Sequence, residues 1–414
     1  MQIEEALKVN DFNRWILCDE KIQELLDEEP HLKEAVSCKN NTLSVRYVFF
    51  KGFLKTVYLY LLQYKISRIQ KRSIPEDIVI ESLMAHHHHN YFRIFNKRKE
   101  KKYLLIKCFV KKDFTKILSI PFSKIYSHFL KNFNELEIFL SGKVSKELKK
   151  RIIKNSSNSI AIYSYFSALL ENMKEINPSI KIFHGGAPLF SLAAISLKIP
   201  TCYLAHGLIN KANKLNFPRY YSIYVYSKDE AKELSTIFPK SNINIYPFEK
   251  IKSHNNKVIC FLDYDDLMKE DELINTKKAI KLFISFDYEI YVKGHPASSG
   301  KIASKLAKEF GAKILTKELK AEELLIKERP KFIISAGFST SICEALNMGI
   351  IPIITTYYQG KKGGQYYGSH QKKDWFFNFE KRSLFWTKEV DLIKNLLKNI
   401  DDYQKVLALL EKDK

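Results

Sequence analysis

Short runs of β-branched and aromatic residues alternate along this chain with longer stretches in which apolar positions return at helical spacing. The runs predict strands at residues 15–18, 45–50, 78–80, 104–110 and 160–163. A denser series follows at 180–183, 201–204, 223–226, 243–246, 258–262, 289–292, 313–315, 331–335 and 350–354. Helices are expected between them: at 189–197, at 227–234 behind a Ser-x-x-Glu capping box (Ser227, Glu230), and at 339–347, stopped by Met348-Gly349. Strand and helix alternating through short loops is the pattern of a doubly wound parallel α/β sheet. The polar stretch EKIKSHNN at 249–256 resets the pattern ahead of a new buried strand, VICFL. We therefore expect two Rossmann-like domains, 1–250 and 251–388, facing a central cleft, and an amphipathic helix over 389–414. No internal repeat is present.

Composition sharpens this division. Of 14 glycines, 12 follow Phe183, so the first part of the chain is the one poor in tight turns. At 414 residues the chain exceeds what one hydrophobic core usually serves. Sixty-eight Lys and Arg against 46 Asp and Glu leave a net charge of +22, which points to phosphate-bearing partners. No RNP, zinc-finger or helix-turn-helix pattern accompanies that charge, so nucleic acid is not the expected partner. No apolar run is long enough to cross a bilayer and the first residues lack a signal-peptide pattern, so the expected location is cytoplasmic. Cys18, Cys38, Cys108, Cys202, Cys260 and Cys343 lie far apart beside apolar neighbours and read as buried thiols, without a disulfide frame or zinc site. Four histidines at 86–89 read as a solvated loop, with adventitious metal binding as the alternative.

Ligands of such sheets bind outside the carboxyl ends of the strands, and four groups there can carry chemistry. Tyr291-Val-Lys-Gly-His-Pro296 ends a strand, with Gly294 expected to allow a sharp turn, Pro296 fixing the next backbone and Lys293 beside His295. That histidine can donate to a phosphate and protonate a leaving oxygen, or simply satisfy a loop carbonyl. A buried strand then leads through Gly337 into a helix that starts at Ser339, Thr340 and Ser341. Free backbone N–H groups and the helix dipole favour an anion there, with Glu344 one turn in as an acceptor for ribose hydroxyls; an ordinary N-cap is the plainer reading. His184-Gly-Gly186 and His206-Gly207 follow successive strands, with Lys211, Lys214 and Arg219 downstream to hold an anionic acceptor. Of the two histidines, His206 is the functional candidate. Finally, Asp263-Tyr-Asp-Asp266 and Glu270-Asp271-Glu272 offer a carboxylate as general base on a sugar hydroxyl, a divalent-metal pair at Asp263 and Asp265, or a solvated loop.

A strand-ending HP motif (His295-Pro296) with a downstream Ser/Thr-rich strand–loop–helix (Ser339, Thr340, Ser341) resembles the bacterial GT-B sialyltransferases. The resemblance spans mainly residues 180–360. It implies a GT-B fold and an inverting transfer from a CMP-activated acidic sugar without a metal or other cofactor. It also implies that His295 binds the CMP phosphate and assists its departure, with Ser339, Thr340 and Ser341 on the phosphate. The family's base motif, D/E-D/E-G, is matched by Glu270-Asp271 only as far as Glu272, where glycine is expected, so Asp271 is one candidate base. The HG motif is similar to that of teichoic-acid glycerophosphotransferases, which implies His206 as the other base and a CDP-polyol phosphotransferase as the alternative activity. A non-enzymatic nucleic-acid-binding protein is the third.

The expected partners are thus a CMP-sugar donor and an oligosaccharide or glycolipid acceptor of a bacterial surface glycan (capsule or lipopolysaccharide). Lys293, Gly294, Pro296, Gly337 and Glu344 complete the nucleotide site; His184, Lys211 and Arg219 hold the acceptor. Two basic runs, 91–103 (YFRIFNKRKEKKY) and 143–154 (KVSKELKKRIIK), suit an anionic membrane surface at about 1 kcal/mol per Lys or Arg, and equally suit a solvated helix face. The loop at 360–368 is read as a surface loop, a cover over the donor or a contact for the acceptor.

Overall fold

The computed structural model describes residues 45–66, 74–81, 87–95, 103–107, 120–141, 146–185, 188–205, 207–209, 220–252, 255–263, 268, 270–296, 298–316, 319–356 and 376–412. The expected strand at 15–18, the loop at 360–368, Cys18, Cys38 and Cys108 lie outside these residues.

Two parallel six-stranded sheets, each wrapped by helices, form two compact units, so the expected α/β class with two Rossmann-like halves is what the chain adopts. The first unit runs through His206 and takes Asn213–Val225 and Leu234–Asn244; the second takes Gly207–Ala212, Tyr226–Glu233 and Ile245–Lys414.

In the first unit the strands β1 (Asp77–Glu81), β2 (Tyr103–Lys107), β3 (Lys181–His184), β4 (Thr201–Leu204), β5 (Ser222–Val225) and β6 (Asn242–Ile245) lie in the order β2-β1-β3-β4-β5-β6. The helices are α1 (Val45–Ile66), α2 (His87–Phe95), α3 (Phe122–Ser141), α4 (Lys146–Ile176), α5 (Pro188–Ser196) and the end of α6 (Lys228–Ile237), whose residues up to Glu233 belong to the second unit. The core joins Ile78 and Ile80 of β1 and Ile182 of β3 to Phe166, Leu169 and Leu170 of α4 and Phe190 of α5.

Two strand expectations fail here. Residues 45–50 open the 22-residue α1, and 160–163 lie inside the 31-residue α4. Both are β-branched or aromatic runs. Each, however, sits within a longer apolar stretch that is covered on one face by other helices, and that packing outweighs local propensity. The histidine run is likewise not a loop, because His87 begins α2.

The second unit orders its strands β12-β11-β10-β7-β8-β9: β7 (Asn255–Phe261), β8 (Glu289–Lys293), β9 (Lys313–Ile314), β10 (Pro330–Ser335), β11 (Ile351–Ile354) and β12 (Leu384–Phe385). All five pairings are parallel. The helices are α7 (Glu270–Ile284), α8 (Lys301–Phe310), α9 (Ala321–Glu328), α10 (Thr340–Asn347), α11 (Phe379–Arg382), α12 (Trp386–Lys398) and α13 (Tyr403–Glu411). β7, β8 and β10 are buried along most of their length, as near-continuous apolar strands of a parallel sheet should be. Val258, Cys260, Phe332, Ile334 and Ile353 of the sheet meet Ile280, Phe283, Leu306, Leu407 and Leu410 of the helices. Cys202, Cys260 and Cys343 are buried free thiols, and burial pushes Cys260 up to about 12.

The tail is two helices rather than one. α12 ends at Asn399, whose side chain accepts from the Asp401 N–H at 3.2 Å. Such local bonding competes with the helical ladder and turns the chain before α13. α13 is then fastened to the sheet. Tyr403 Oη donates to the Lys331 carbonyl at 2.6 Å, and Arg382 donates to the Leu410 and Lys412 carbonyls and to Asp229 of α6.

Candidate functional site

The strand order of the second unit reverses at β7. The chain steps from β7 to β8 and β9 on one side, then crosses to β10, β11 and β12 on the other. Such a switch opens a crevice at the carboxyl ends of the strands that flank it. The residues there are Asp263 after β7, Lys293, Gly294 and His295 at the end of β8, and Gly337 to Ser341 after β10.

These groups converge. A side chain at Gly337 would stand 2.8 Å from Asp263 Oδ2, so the absence of a Cβ is what lets the backbone and the carboxylate approach. His295 is half-buried, and that burial holds its pKa below the ordinary value; the nearby Asp263 charge opposes the shift and Lys293 reinforces it. Lys293 itself is buried. Ser339 caps α10, its Oγ accepting from the Ser341 N–H at 3.3 Å and from the Ser341 hydroxyl at 3.0 Å. The helix start therefore has an ordinary N-cap and, in addition, a histidine, a lysine and a carboxylate at the neighbouring strand ends. Ser341 and Glu344 are buried, while Ser339 and Thr340 are partly exposed.

A second loop joins this group. Thr340 Oγ1 accepts from the Leu208 N–H at 3.2 Å, and a side chain at Gly207 would meet the same oxygen at 3.1 Å. The segment Gly207–Ile209 thus rests on the Ser/Thr segment. It is gripped from its other side by Glu230, fully buried, whose carboxylate accepts from Ile209 N at 2.7 Å, Tyr226 N at 3.1 Å, Ser227 N at 3.0 Å and Ser227 Oγ at 2.9 Å. Glu230 N in turn donates to Ser227 Oγ at 3.1 Å, which closes the expected capping box. Burial raises the Glu230 pKa to about 7 against those four donors.

Other expected residues take different places. His184 is fully buried and pairs through Nδ1 with the Ile80 carbonyl at 2.9 Å, tying β3 to β1 at the switch point of the first sheet. That is the position of a histidine holding a sheet rather than one meeting an acceptor. Gly294 does not adopt the left-handed backbone expected of a glycine turn, and a Cβ there would find its nearest neighbour at 3.7 Å. Pro296 is exposed. Glu270, Asp271 and Glu272 form the first turn of α7, where acidic side chains complement the helix dipole, instead of a loop. Glu272 accepts from the Thr356 hydroxyl. His206, Lys211, Lys214, Arg219, Asp265 and Asp266 lie outside the described residues. In the basic run at 91–103, Tyr91 is a core residue whose hydroxyl donates to Asp77 Oδ2 at 2.6 Å.

The Asp263–Gly337 approach was not anticipated; its only trace in the sequence is an acidic residue directly after the first strand of the second half. It leads to a paired prediction. Gly337→Ala should displace the Asp263 carboxylate and lower the His295 pKa further, with a stability loss of no more than about 1 kcal/mol, because a short side chain can rotate away. Gly294→Ala should leave both unchanged. NMR titration of the His295 ring with thermal melts checks the pair.

No protein-family model matches the sequence, and no curated protein sequence does. Among solved structures, the chain is similar to UDP-GlcNAc 2-epimerase from Neisseria meningitidis at 10% identity, with 81% of this chain and 94% of that one covered and a TM-score of 0.47. It is similar to the glycosyltransferase SnogD from Streptomyces nogalater at 12% identity, with coverage of 81% and 94% and a TM-score of 0.44. It is also similar to the wall teichoic acid polymerase TagF at 12% identity, with coverage of 95% and 92% and a TM-score of 0.42. At this similarity the likeness assigns no residue a role.

Proposed function

We propose that the chain is an inverting glycosyltransferase that moves an acidic sugar, a sialic-acid-like nonulosonate or Kdo, from a CMP-activated donor to a bacterial surface glycan. One observation carries the reading: His295, Lys293 and Asp263 gather with the Ser339–Ser341 helix start around the β7–β10 switch point. A nucleotide phosphate suits that group. Lys293 supplies positive charge, the N-terminus of α10 supplies N–H donors, and His295 donates a ring N–H.

In the reaction the acceptor hydroxyl oxygen attacks the anomeric carbon while the bond from that carbon to the CMP phosphate oxygen breaks. The electron pair leaves on phosphate, where His295 and the helix start stabilise the growing charge. The hydroxyl proton passes to a base, Asp271 or His206. The half-buried His295 is largely neutral in the free protein, and a bound phosphate raises its proton affinity, so it can deliver a proton as CMP departs. The segment 251–388 is the nucleotide-binding domain in this reading. Residues 1–250, with Lys211 and Arg219, hold the acceptor. No metal takes part in the proposed steps.

Gly207 and Leu208, seated on Thr340, favour a second reading, a CDP-polyol phosphotransferase with His206 as base. Incubation with CMP-sialic acid, CMP-Kdo and CDP-glycerol, read by mass spectrometry for CMP release in the presence of EDTA, separates the two. Release from a CMP-sugar supports the proposal. Release from CDP-glycerol alone selects the second reading, and loss of all activity in EDTA contradicts metal independence.

A further inference from the structure

α1 carries a row of exposed large apolar side chains on the side away from α3 and α4. Its inner side meets α3 and α4 through Val48, Phe49, Phe53, Thr56 and Leu59, with the Phe49 ring 4.9 Å from Phe133 and 5.5 Å from Phe129. On the opposite side, Tyr47, Phe50, Leu54, Tyr58 and Leu61 are between 43% and 62% exposed. Their spacing of three and four residues aligns them along one face for about 20 Å, at 1.5 Å per residue. Large apolar side chains in such a row are the exception on a protein surface.

We propose that this face of α1 docks on an anionic membrane surface, with the helix lying in the headgroup plane. Three observations select that occupant. The helix contains Arg46, Lys51, Lys55 and Lys65 and no Asp or Glu. The two lysines beside the stripe lie over its rings, Lys55 Nζ 4.9 Å from the Tyr58 centroid and Lys51 Nζ 5.7 Å from Tyr47. Aromatic and aliphatic side chains next to cations are what an interfacial helix presents to acyl chains and lipid phosphates. No described helix is long and apolar enough to cross a membrane, so the contact is one of lying on the surface. A second copy of the chain fits less well, because pairing the two stripes would bring Lys51 and Lys55 towards their own counterparts. The proposal rests on the first unit alone and is independent of the reaction assigned above.

Co-sedimentation of the full chain with phosphatidylcholine vesicles, with and without phosphatidylglycerol, tests it. The wild type should sediment with the phosphatidylglycerol vesicles and be released by salt. Phe50→Glu with Leu54→Glu should reduce binding by more than about tenfold, since each change removes an inserted side chain and adds a repelled charge. Thermal melts should not move, because both positions are exposed. Lys51→Glu with Lys55→Glu should weaken binding and remove most of its salt dependence. A wild type that stays in solution, equal sedimentation with phosphatidylcholine alone, or undiminished binding by the Phe50→Glu/Leu54→Glu chain overturns the proposal. So does a wild-type dimer in analytical ultracentrifugation that this same variant dissolves.

Discussion

Replacing His295 by alanine is expected to weaken binding of cytidine monophosphate by at least about tenfold and to slow sugar transfer by a factor on the order of 10²–10⁴, the usual span for a lost general acid. The effect should also appear in pH. In the free protein burial keeps the imidazole neutral below its ordinary range, whereas a bound phosphate favours the imidazolium. Binding by the wild type therefore takes up a proton, and affinity should fall as pH rises through the His295 pKa of the complex. The alanine variant should lose that slope. Asp263→Asn should keep the ring but lower its free pKa, since the Asp263 charge is the one group raising it. Calorimetric titration of the nucleotide over a pH series measures all three. A variant that binds and turns over like the wild type contradicts the assignment.

Glu230 should be the largest single stabiliser near the site. Its carboxylate accepts from the N–H groups of Ile209, Tyr226 and Ser227. Glu230→Ala would strand buried donors at the start of α6 and leave a cavity, at a cost of about 3–4 kcal/mol, or a fall of roughly 10 °C in melting temperature. The sign of the pH effect follows from the raised pKa. The folded chain holds the Glu230 proton up to about 7, whereas the unfolded chain releases it near 4.5. This carboxyl's contribution is therefore complete below about pH 4.5 and is lost as pH rises through 7, by about 3 kcal/mol at 1.36 kcal/mol per unit. Glu230→Gln should remove that dependence, so its stability difference from the wild type should shrink by about this amount between pH 5 and pH 8. Denaturant unfolding at both values checks it. Glu230→Ala should also loosen the Gly207–Ile209 segment, because Ile209 N loses its acceptor.

The residues themselves show how much of this was legible. Past residue 180 most strands were readable because parallel strands buried on both faces are short, apolar and separated by turns, the exposed β6 and β9 apart, and the Ser227–Glu230 box announced its helix. Before that point, VRYVFF at 45–50 looked like a strand only when cut from the 22 residues it opens. That misreading hid the exposed face of α1, whose significance depends on knowing which side α3 and α4 cover. At the site, His295 and the Ser/Thr segment were found from their own motifs. The contacts that their neighbours Asp263, Gly337 and Gly207 make were not. Asp263 meets Gly337 because β7 and β10 are neighbours in the sheet, and Gly207 meets Thr340 across more than a hundred residues of chain. Strand order decides the first contact, the second joins loops that follow strands of different sheets, and no local pattern encodes either. His184 illustrates the reverse case, since its place after a strand suggested a ligand-facing group and burial made it a link between β1 and β3.

The most direct test is a crystal of the chain grown with cytidine monophosphate. Phosphate density is expected within hydrogen-bonding distance of the His295 ring and of the backbone N–H groups at the start of α10, beside Lys293. Nucleotide bound anywhere else, or a phosphate that leaves His295 untouched, contradicts it.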